Sequence, residues 1–312
     1  MSRPMAFSIG ITLLVGCGDG RAPVPGPAAT GPDEPPVALP AALPPAPEGG
    51  QQLASGGYEL LAGQEKFLCV THRSPPDAAR AIREIQMVGG VEVHHAVLFR
   101  STGASEERAQ WECENLADLT AWFPIWGGGT GSKGFRLPEG VGFLVGKDTQ
   151  YMVQYHLLNA RQSVVHGVAG LNLDYRDPAG VKPAGPFALT GLSFRIPPGA
   201  AYEETIHCAA TRDMNVVGVL PHMHQLGRWA NLEHGSHEGT MTEVYRRDPW
   251  NFDDQAMDPF VMTIKKGDQL RATCAWNNPS NREVTFGEST HDEMCFMVLF
   301  YYPFDGLDGC LR

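Results

Sequence analysis

Two closely spaced histidine pairs are the residues of this chain best suited to binding a metal ion. His94 and His95 are adjacent in "VEVHHAVLFR", and His222 and His224 are one residue apart in "VLPHMHQLGR". Residues i and i+2 of a β-strand share a face, so the H-x-H pair can bind one ion without distortion. Successive residues face opposite sides, so the His-His pair can share an ion only where a bulge or twist redirects one ring. Otherwise one ring of that pair is buried and the other is solvated.

Two further residues could complete a pair of three-ligand sites. His156 lies in the strand-like stretch "QYMVQYHLLN", where a lone histidine is ordinarily structural, and Met294 precedes Cys295 in "HDEMCFMVLFYYP". A thioether sulfur favours Cu(I), whereas imidazole suits copper in both oxidation states. Two copper sites are then possible: one from the H-x-H pair with Met294, and one from the His-His pair with a third histidine. Cys295 would point away from the metal, and a disulfide to Cys274 would fix the strand that carries Met294.

The elements that must position these residues are predicted to be β-strands. Apolar segments of strand length recur with turn signals between them, many alternate with period two, and almost none has helical period. We therefore expect an all-β protein of antiparallel β-sandwich or jelly-roll architecture. Weak helices are expected at "PPDAARAIREI" (75–85) and "ENLADLTAWF" (114–123), and residues 176–186 are the expected linker between the domains.

The composition suits a folded protein and disfavours one class of partner. The chain has 312 residues, 43% of them hydrophobic, with 36 glycines and 25 prolines that suit a turn-rich β protein. The formal net charge is −11, so a nucleic-acid partner is not expected on electrostatic grounds.

The first 55 residues predict export. Residues 1–17 contain Arg3, an apolar run too short to span a bilayer, and the ending "LVGC", as in a signal peptide with a lipobox in which Cys17 receives the lipid. The alternative is an ordinary signal peptide cut nearby. Residues 18–55 are expected to form a disordered tether, because residues 21–50 contain ten prolines and no aromatic residue. We expect an exported protein, lipid-anchored at the bacterial outer membrane or cell surface, touching the membrane only through that anchor.

The remaining six cysteines predict disulfides. They are Cys69, Cys113, Cys208, Cys274, Cys295 and Cys310. An even number in an exported protein indicates disulfide bonds, and the lack of any C-x-x-C pair disfavours a zinc ribbon or a thioredoxin site. Two cysteines in the first half and four in the second suggest two separately cross-linked domains, at 56–180 and 181–312.

Five stretches together resemble a known family. They are "VHHAVLF", "RLPEGVGFLVG", "YMVQYHL", "PHMHQLGR" and "DEMCFMVLFYYP". In this order they resemble the copper type II, ascorbate-dependent monooxygenases, which include peptidylglycine alpha-hydroxylating monooxygenase and dopamine beta-monooxygenase.

The resemblance implies two copper ions per chain and a reaction with O2. It implies an electron-donating site and an oxygen-binding site in two β-sandwiches that face each other across a solvent-filled cleft. Ascorbate or a similar reductant would supply electrons, and one oxygen atom would enter a small organic substrate as a hydroxyl. The implied ligands are His94, His95 and His156 in the first site and His222, His224 and Met294, the catalytic set, in the second. The implied disulfides are Cys69–Cys113, Cys208–Cys310 and Cys274–Cys295.

The substrate is expected to differ from that of the peptide-amidating members. Those members hold a substrate carboxylate with a basic residue before the H-x-H and polar residues after the Met-Cys pair. Leu220, Phe296 and Val298 stand at these positions here, and apolar side chains cannot compensate a buried carboxylate.

Two other functions would fit the same residues. A non-catalytic copper carrier on a lipid anchor needs only one site, so two ligand sets favour an enzyme. A structural zinc protein is disfavoured because methionine is a poor zinc ligand. The expected partners are the substrate and O2, and the expected state is a monomer. The other histidines, including His291 beside the Met294 stretch, are expected at the surface or in packing positions.

Overall fold

The computed structural model describes residues 43–103, 107–113, 121–129, 134–237, 239–306 and 308–311. In these ranges the regular structure is all β, as predicted, with no α-helix. None of these residues forms a helix of the length and apolar character that crossing a bilayer requires. The predicted signal peptide, with Cys17 and the tether as far as residue 42, lies outside these ranges.

Thirteen strands form the first half of the fold. They are β1 (Gln51–Ala54), β2 (Tyr58–Leu60), β3 (Glu65–Arg73), β4 (Arg80–Val88), β5 (Val93–Ser101), β6 (Trp111–Glu112), β7 (Trp122–Gly129), β8 (Phe135–Arg136), β9 (Val141–Val145), β10 (Gln150–Leu158), β11 (Val165–Gly167), β12 (Gly170–Arg176) and β13 (Lys182–Pro183). One sheet has the order β1-β12-β4-β9-β13, with β8 also on β4, and the other has the order β6-β3-β10-β5-β7. Strands β11 and β2 form a separate pair.

Eleven strands form the second half. They are β14 (Gly185–Gly191), β15 (Arg195–Ile196), β16 (Ala200–Ala209), β17 (Met214–His222), β18 (Gly227–Gly235), β19 (Thr242–Arg247), β20 (Asp258–Ile264), β21 (Gln269–Asn278), β22 (Val284–Thr285), β23 (Cys295–Tyr302) and β24 (Asp308–Leu311). A five-stranded sheet has the order β20-β17-β23-β14-β24, and a four-stranded sheet has the order β16-β21-β18-β19. Strands β15 and β22 pair with each other.

Each half buries its own apolar core between two sheets. In the first core, Leu53 and Ile82 of one sheet and Leu98 of the other belong to one buried cluster. In the second core, Leu299 of the five-stranded sheet and Trp276 of the four-stranded sheet share another. Alternating side chains from two facing sheets enclose each core, which is the packing of a β-sandwich. The chain passes from the first sandwich to the second between β13, which pairs with β9, and β14, which pairs with β23. This point lies within the expected linker.

The two sandwiches meet through apolar side chains. Leu220 and Phe300 of the second sandwich belong to the buried cluster of the first. The Phe300 ring lies 5.5 Å from Phe135 and 6.0 Å from Phe143, measured between ring centroids. At Gly218 of β17 a Cβ would lie 2.9 Å from the Phe135 ring, so glycine permits this close approach.

All three disulfides implied by the family resemblance are present. They are Cys69–Cys113, Cys208–Cys310 and Cys274–Cys295. The last two each join the two sheets of the second sandwich.

The prediction of a helix over 75–85 is wrong. Residues Arg80–Val88 form β4, between β12 and β9. A bulge at Arg83 shifts the register so that Glu84 pairs with Asp174 and Ile82 with Tyr175. The extra residue turns Ile82 and Ile85, three apart, into the same core, and so reproduces a helical spacing within a strand. Of the other expected helix, residues 114–120 lie outside the described ranges and Trp122 begins β7.

The predicted end of the tether at residue 55 is also wrong. Residues Gln51–Ala54 are β1 and pair with β12. The preceding residues are bound to the same sheet, because Gln52 donates to the Pro44 carbonyl at 2.6 Å and Asn172 to the Pro45 carbonyl at 3.4 Å. Proline lacks an N–H but keeps its carbonyl acceptor, so a proline-rich segment can be held by side-chain amides.

Candidate metal centres

A β-bulge brings His94 and His95 together with His156. On β5 and β10, His156 pairs with His95 and Leu157 pairs with Val93, so His94 is the extra residue of the bulge. The Nδ1 atoms of His94 and His95 lie 3.4 Å apart, and those of His95 and His156 lie 3.3 Å apart. Two nitrogens that each lie about 2.0–2.1 Å from one ion are roughly 3.3 Å apart at a tetrahedral angle. The three imidazoles therefore have the spacing of ligands to a single ion.

Hydrogen bonds on the opposite ring nitrogens select Nδ1 as the ligand atom of His94 and His156 in this first set. His94 donates through Nε2 to the Phe252 carbonyl at 2.9 Å. His156 donates through Nε2 to the Glu65 carboxylate at 2.8 Å, and its ring stacks on Phe67 with centroids 4.4 Å apart. An outer acceptor of this kind fixes both the tautomer and the ring orientation of a metal-binding histidine.

The second histidine pair has the opposite tautomers. His222 ends β17, and its Nδ1 donates to the Gln255 side-chain oxygen. His224 donates through Nδ1 to the Asp292 carbonyl at 3.1 Å. The ring centroids of the pair lie 5.3 Å apart. Because both Nδ1 atoms carry protons, Nε2 is the nitrogen with which each ring would ligate a metal.

The strand register places Met294 beside this pair. His222 pairs with Phe296 across β17 and β23. Extending this antiparallel register two residues after His222 and two residues before Phe296, just beyond the ends of the two strands, sets Met294 opposite His224 on the face that carries His222. Met294 is buried, and Cys295 on the other face lies in the second core.

Glu293 fastens the two chain segments that carry this second set. It is fully buried, and its carboxylate accepts the N–H groups of His224 at 2.8 Å, Leu226 at 2.7 Å and Met294 at 3.3 Å. It also accepts the indole N–H of Trp276 at 2.8 Å. Burial raises the pKa of Glu293 to about 7, although these four donors act in the opposite direction.

Burial keeps most of the imidazoles neutral. Together with nearby imidazoles, it lowers the pKa of His94 and of His224 to about 4 and that of His222 to about 3. The pKa of His95 also lies well below its usual value, for the same two reasons. Neutral imidazole is the form that binds a metal, so these rings need to lose no proton at neutral pH.

The two sets lie in contact rather than across a solvent-filled cleft. The ring centroids of His95 and His222 are 5.2 Å apart, and the Phe252 ring lies 4.1 Å from that of His94 and 6.4 Å from that of His224. The apolar interface accounts for this difference from the family expectation. With Leu220 and Phe300 packed into the first core, the ends of β5 and β17 are brought together.

Comparison with known proteins supports a family for the C-terminal part of the chain. Residues 184–312, which include His222, His224 and Met294, match the sequence profile described as copper type II ascorbate-dependent monooxygenase, C-terminal domain. This match supports the resemblance to the copper type II, ascorbate-dependent monooxygenase family. Human DBH-like monooxygenase protein 1 is 29% identical over 250 residues, which cover 70% of this chain and 40% of that protein.

Other relatives are similar at the same level. Human putative DBH-like monooxygenase protein 2 is 27% identical over 208 residues, covering 60% of this chain and 42% of that protein. Mouse peptidyl-glycine alpha-amidating monooxygenase is 25% identical over 249 residues, covering 76% of this chain and 25% of that protein. The matches therefore span less than half the length of these relatives.

The donor atoms fit the metal of this family. Three convergent imidazole nitrogens suit copper in either oxidation state, and two imidazoles with a thioether suit Cu(I). The structure brings His94, His95 and His156 within 4.8 Å of one another by their ligand atoms. It places the H-x-H pair at the end of β17 and Met294 directly before β23, the neighbouring strand of the same sheet.

The outer residues were not found by sequence reasoning. Glu65, Phe252, Gln255 and Glu293 contact five of the six candidate ligands, which are His156, His94, His222, His224 and Met294. Glu293 alone had a signal, because an acid directly before a predicted ligand in an apolar strand is unusual. Gln255 lies 33 positions from its histidine and Glu65 lies 91 positions from its own, so no local pattern indicates them.

Two of the three apolar positions expected near the substrate lie in the interface instead. Leu220 is part of the first core, and Val298 packs against it. Phe296 lies beside the second set, with its ring 6.3 Å from His222 and 6.4 Å from Phe286. His291 is exposed, as expected for a loop residue.

Proposed function

We propose that this protein is a copper-dependent monooxygenase that hydroxylates a C–H bond of a small organic substrate. It would use O2 and two electrons from ascorbate or a similar reductant, with two copper ions per chain. The observation that carries the proposal is the opposite choice of ring nitrogens in two adjacent ligand sets. Outer acceptors hold Nε2–H in the first set and Nδ1–H in the second.

Two sets with different donors suit two different tasks. The first set would hold copper through Nδ1 of His94, His95 and His156, and nitrogen donors alone suit a metal that cycles between oxidation states. The second would hold copper through Nε2 of His222 and His224 and the sulfur of Met294. That sulfur favours the reduced ion, the form that reacts with O2.

Bound copper supplies one-electron transfer and the activation of O2, and the chain's own residues position the groups that do so. The net reaction consumes one C–H bond, O2, two electrons and two protons, and it yields one C–OH group and one water. Phe252 packs its ring between the two sets, and Glu293 fixes the backbone next to His224 and Met294. Held in this way, the ligand atoms need little rearrangement during turnover.

The surroundings of the second set favour an apolar or neutral substrate. Phe296 and Phe286 are the aromatic neighbours on the His222 side. An apolar wall of this kind cannot compensate a carboxylate brought out of water. We therefore propose a substrate without a carboxylate at the reacting end, unlike a peptide that ends in glycine.

The three disulfides support an oxidising location for the folded protein. Structural disulfides persist outside the reducing cytoplasm. We propose that the protein works as an exported monomer. Thiol labelling of the protein from fractionated cells, together with its mass in solution by light scattering, would test this, and free thiols would contradict export.

The test is oxygen consumption by protein loaded with copper. With ascorbate and a panel of apolar substrates, one oxygen atom of labelled ¹⁸O2 should appear in a hydroxylated product for each O2 consumed. His222→Ala should abolish this turnover, and His291→Ala, a change of an exposed histidine, should leave it unchanged. Tight copper binding with no labelled product from any substrate would instead support a copper carrier.

A further inference from the structure

Glu65 is bound to both sandwiches at once. It begins β3 of the first sandwich, and its Oε1 accepts the Nε2–H of His156 at 2.8 Å. The same carboxylate accepts the backbone N–H and the side-chain hydroxyl of Thr290, each at 3.0 Å. Thr290 belongs to the second sandwich and is itself buried. One side chain therefore joins a ligand of the first set to a chain segment of the second half.

That segment leads directly into the second ligand set. After Thr290, the Asp292 carbonyl accepts the Nδ1–H of His224, and the next two residues are Glu293 and Met294. The segment is also bonded within itself, since Asp292 donates to the Ser289 carbonyl at 2.8 Å. A displacement at Thr290 would therefore move the partner of His224 and the start of the Met294 strand.

We propose that Glu65 is a positioning residue that links the two metal centres, because it orients His156 in the first and holds the 289–294 segment of the second. This inference rests on the proposed function in treating both sets as copper sites. The nature of the metal is taken from the family, whereas the assignment of Glu65 comes from its three bonds.

The chemistry of the carboxylate supports this double role. An ionised carboxylate is an acceptor with about four lone-pair sites, of which Glu65 uses three in the bonds described. Its two oxygens therefore accept from His156 and Thr290 at the same time.

The test compares Glu65→Ala with Glu65→Gln. Alanine removes all three acceptor bonds. Glutamine can keep them, since its oxygen can accept from His156 and the Thr290 amide while its NH2 donates to the Thr290 hydroxyl. In metal-free protein, hydrogen exchange at the Thr290 amide should accelerate at least tenfold in Glu65→Ala and stay near that of the parent in Glu65→Gln.

The second measurement is competition with a Cu(I) chelator. Loss of an outer partner typically weakens metal binding about 10–100-fold. Glu65→Ala should weaken Cu(I) binding in the first set by that factor and in the second set severalfold, with partial rescue in Glu65→Gln. Thr290→Val, which removes only the hydroxyl, should affect the second set alone. Glu112→Gln, on exposed β6 beside β3, is the matched control and should change neither.

Two results would overturn the proposal. Unchanged exchange at Thr290 in Glu65→Ala would show that Glu65 does not hold the segment. Unchanged Cu(I) affinity of the first set in that variant would show that Glu65 does not orient His156. A parent protein that binds copper but oxidises no substrate would refute the proposed function instead, and it would leave both measurements valid.

Discussion

Replacing Cys274 and Cys295 together by alanine should destabilise the second sandwich and impair the copper site beside it. The disulfide joins β21 to β23 across the core, and Cys295 directly follows Met294. Both cysteines are fully buried, so alanine is a better replacement than serine, which would bury two hydroxyls.

The magnitude follows from the length of chain that the disulfide closes. The two cysteines are 21 residues apart. Loop-closure entropy for this separation corresponds to about 3.4 kcal/mol at 25 °C, within the usual range of about 2–5 kcal/mol for a native disulfide. The free energy of unfolding of the second sandwich should therefore fall by about 3 kcal/mol, and Cu(I) binding by the second set should weaken.

The assay is denaturant unfolding combined with hydrogen exchange, which shows which sandwich opens first. The matched control is the double replacement of Cys69 and Cys113, whose 44-residue separation predicts a loss of about 4 kcal/mol in the first sandwich. That control should leave the second set intact. A loss below about 1 kcal/mol in the Cys274–Cys295 variant, or earlier opening of its first sandwich, would refute the reasoning.

Three further changes should each give a defined result. Gln255→Leu removes the acceptor of His222 Nδ1, so Cu(I) binding by the second set should weaken about 10–100-fold in chelator competition, and unchanged affinity would contradict the assigned tautomer. His156→Ala should reduce copper loading from two ions to one per chain, measured by elemental analysis, with the methionine-containing site still filled. Because burial raises the pKa of Glu293 from 4.5 to about 7, folding favours its protonated form, so its contribution to stability is largest below pH 4.5 and falls by about 3 kcal/mol as pH rises through 7. The Glu293→Gln variant should lack this decrease, so the difference between the two stability curves should change with pH, and parallel curves would contradict the pKa.

The candidate metal-binding residues could be proposed from the sequence because the spacing of the histidines follows strand geometry and because the stretches that carry them resemble a known family. The H-x-H pair needs only the alternation of a regular strand. The adjacent His94 and His95 can bind one ion together only if the strand is bulged. The sequence does not show such a bulge, but β5 contains one at His94. The all-β class followed from period-two alternation, which depends on short stretches of chain alone.

The elements that were predicted wrongly depend on contacts between distant segments. A bulge at Arg83 gives β4 two inward isoleucines at a helical spacing, and only its pairing with β12 shows that it is a strand. The end of the proline-rich segment is ordered because Gln52 and Asn172 donate to its carbonyls. Neither interaction leaves a pattern in the local sequence.

The arrangement of the two sites is also a property of tertiary packing. Sequence reasoning placed Leu220 beside a substrate, whereas it is buried in the core of the opposite sandwich. Similarly, Glu65 and Thr290 are 225 positions apart, and only the contact between the sandwiches brings them together. Composition and spacing therefore indicated the ligands but not the residues that connect the two sets.

X-ray absorption at the copper edge on fully reduced protein tests the central claim most directly. The account predicts two Cu(I) ions per chain and a copper–sulfur shell that disappears in Met294→Leu, a swap that preserves volume and typically costs less than about 1.5 kcal/mol. Oxygen-dependent turnover should be lost in that variant while the site of His94, His95 and His156 stays loaded. A parent protein without a sulfur neighbour to copper, together with full turnover in Met294→Leu, would contradict the assignment of Met294 and of the second copper site.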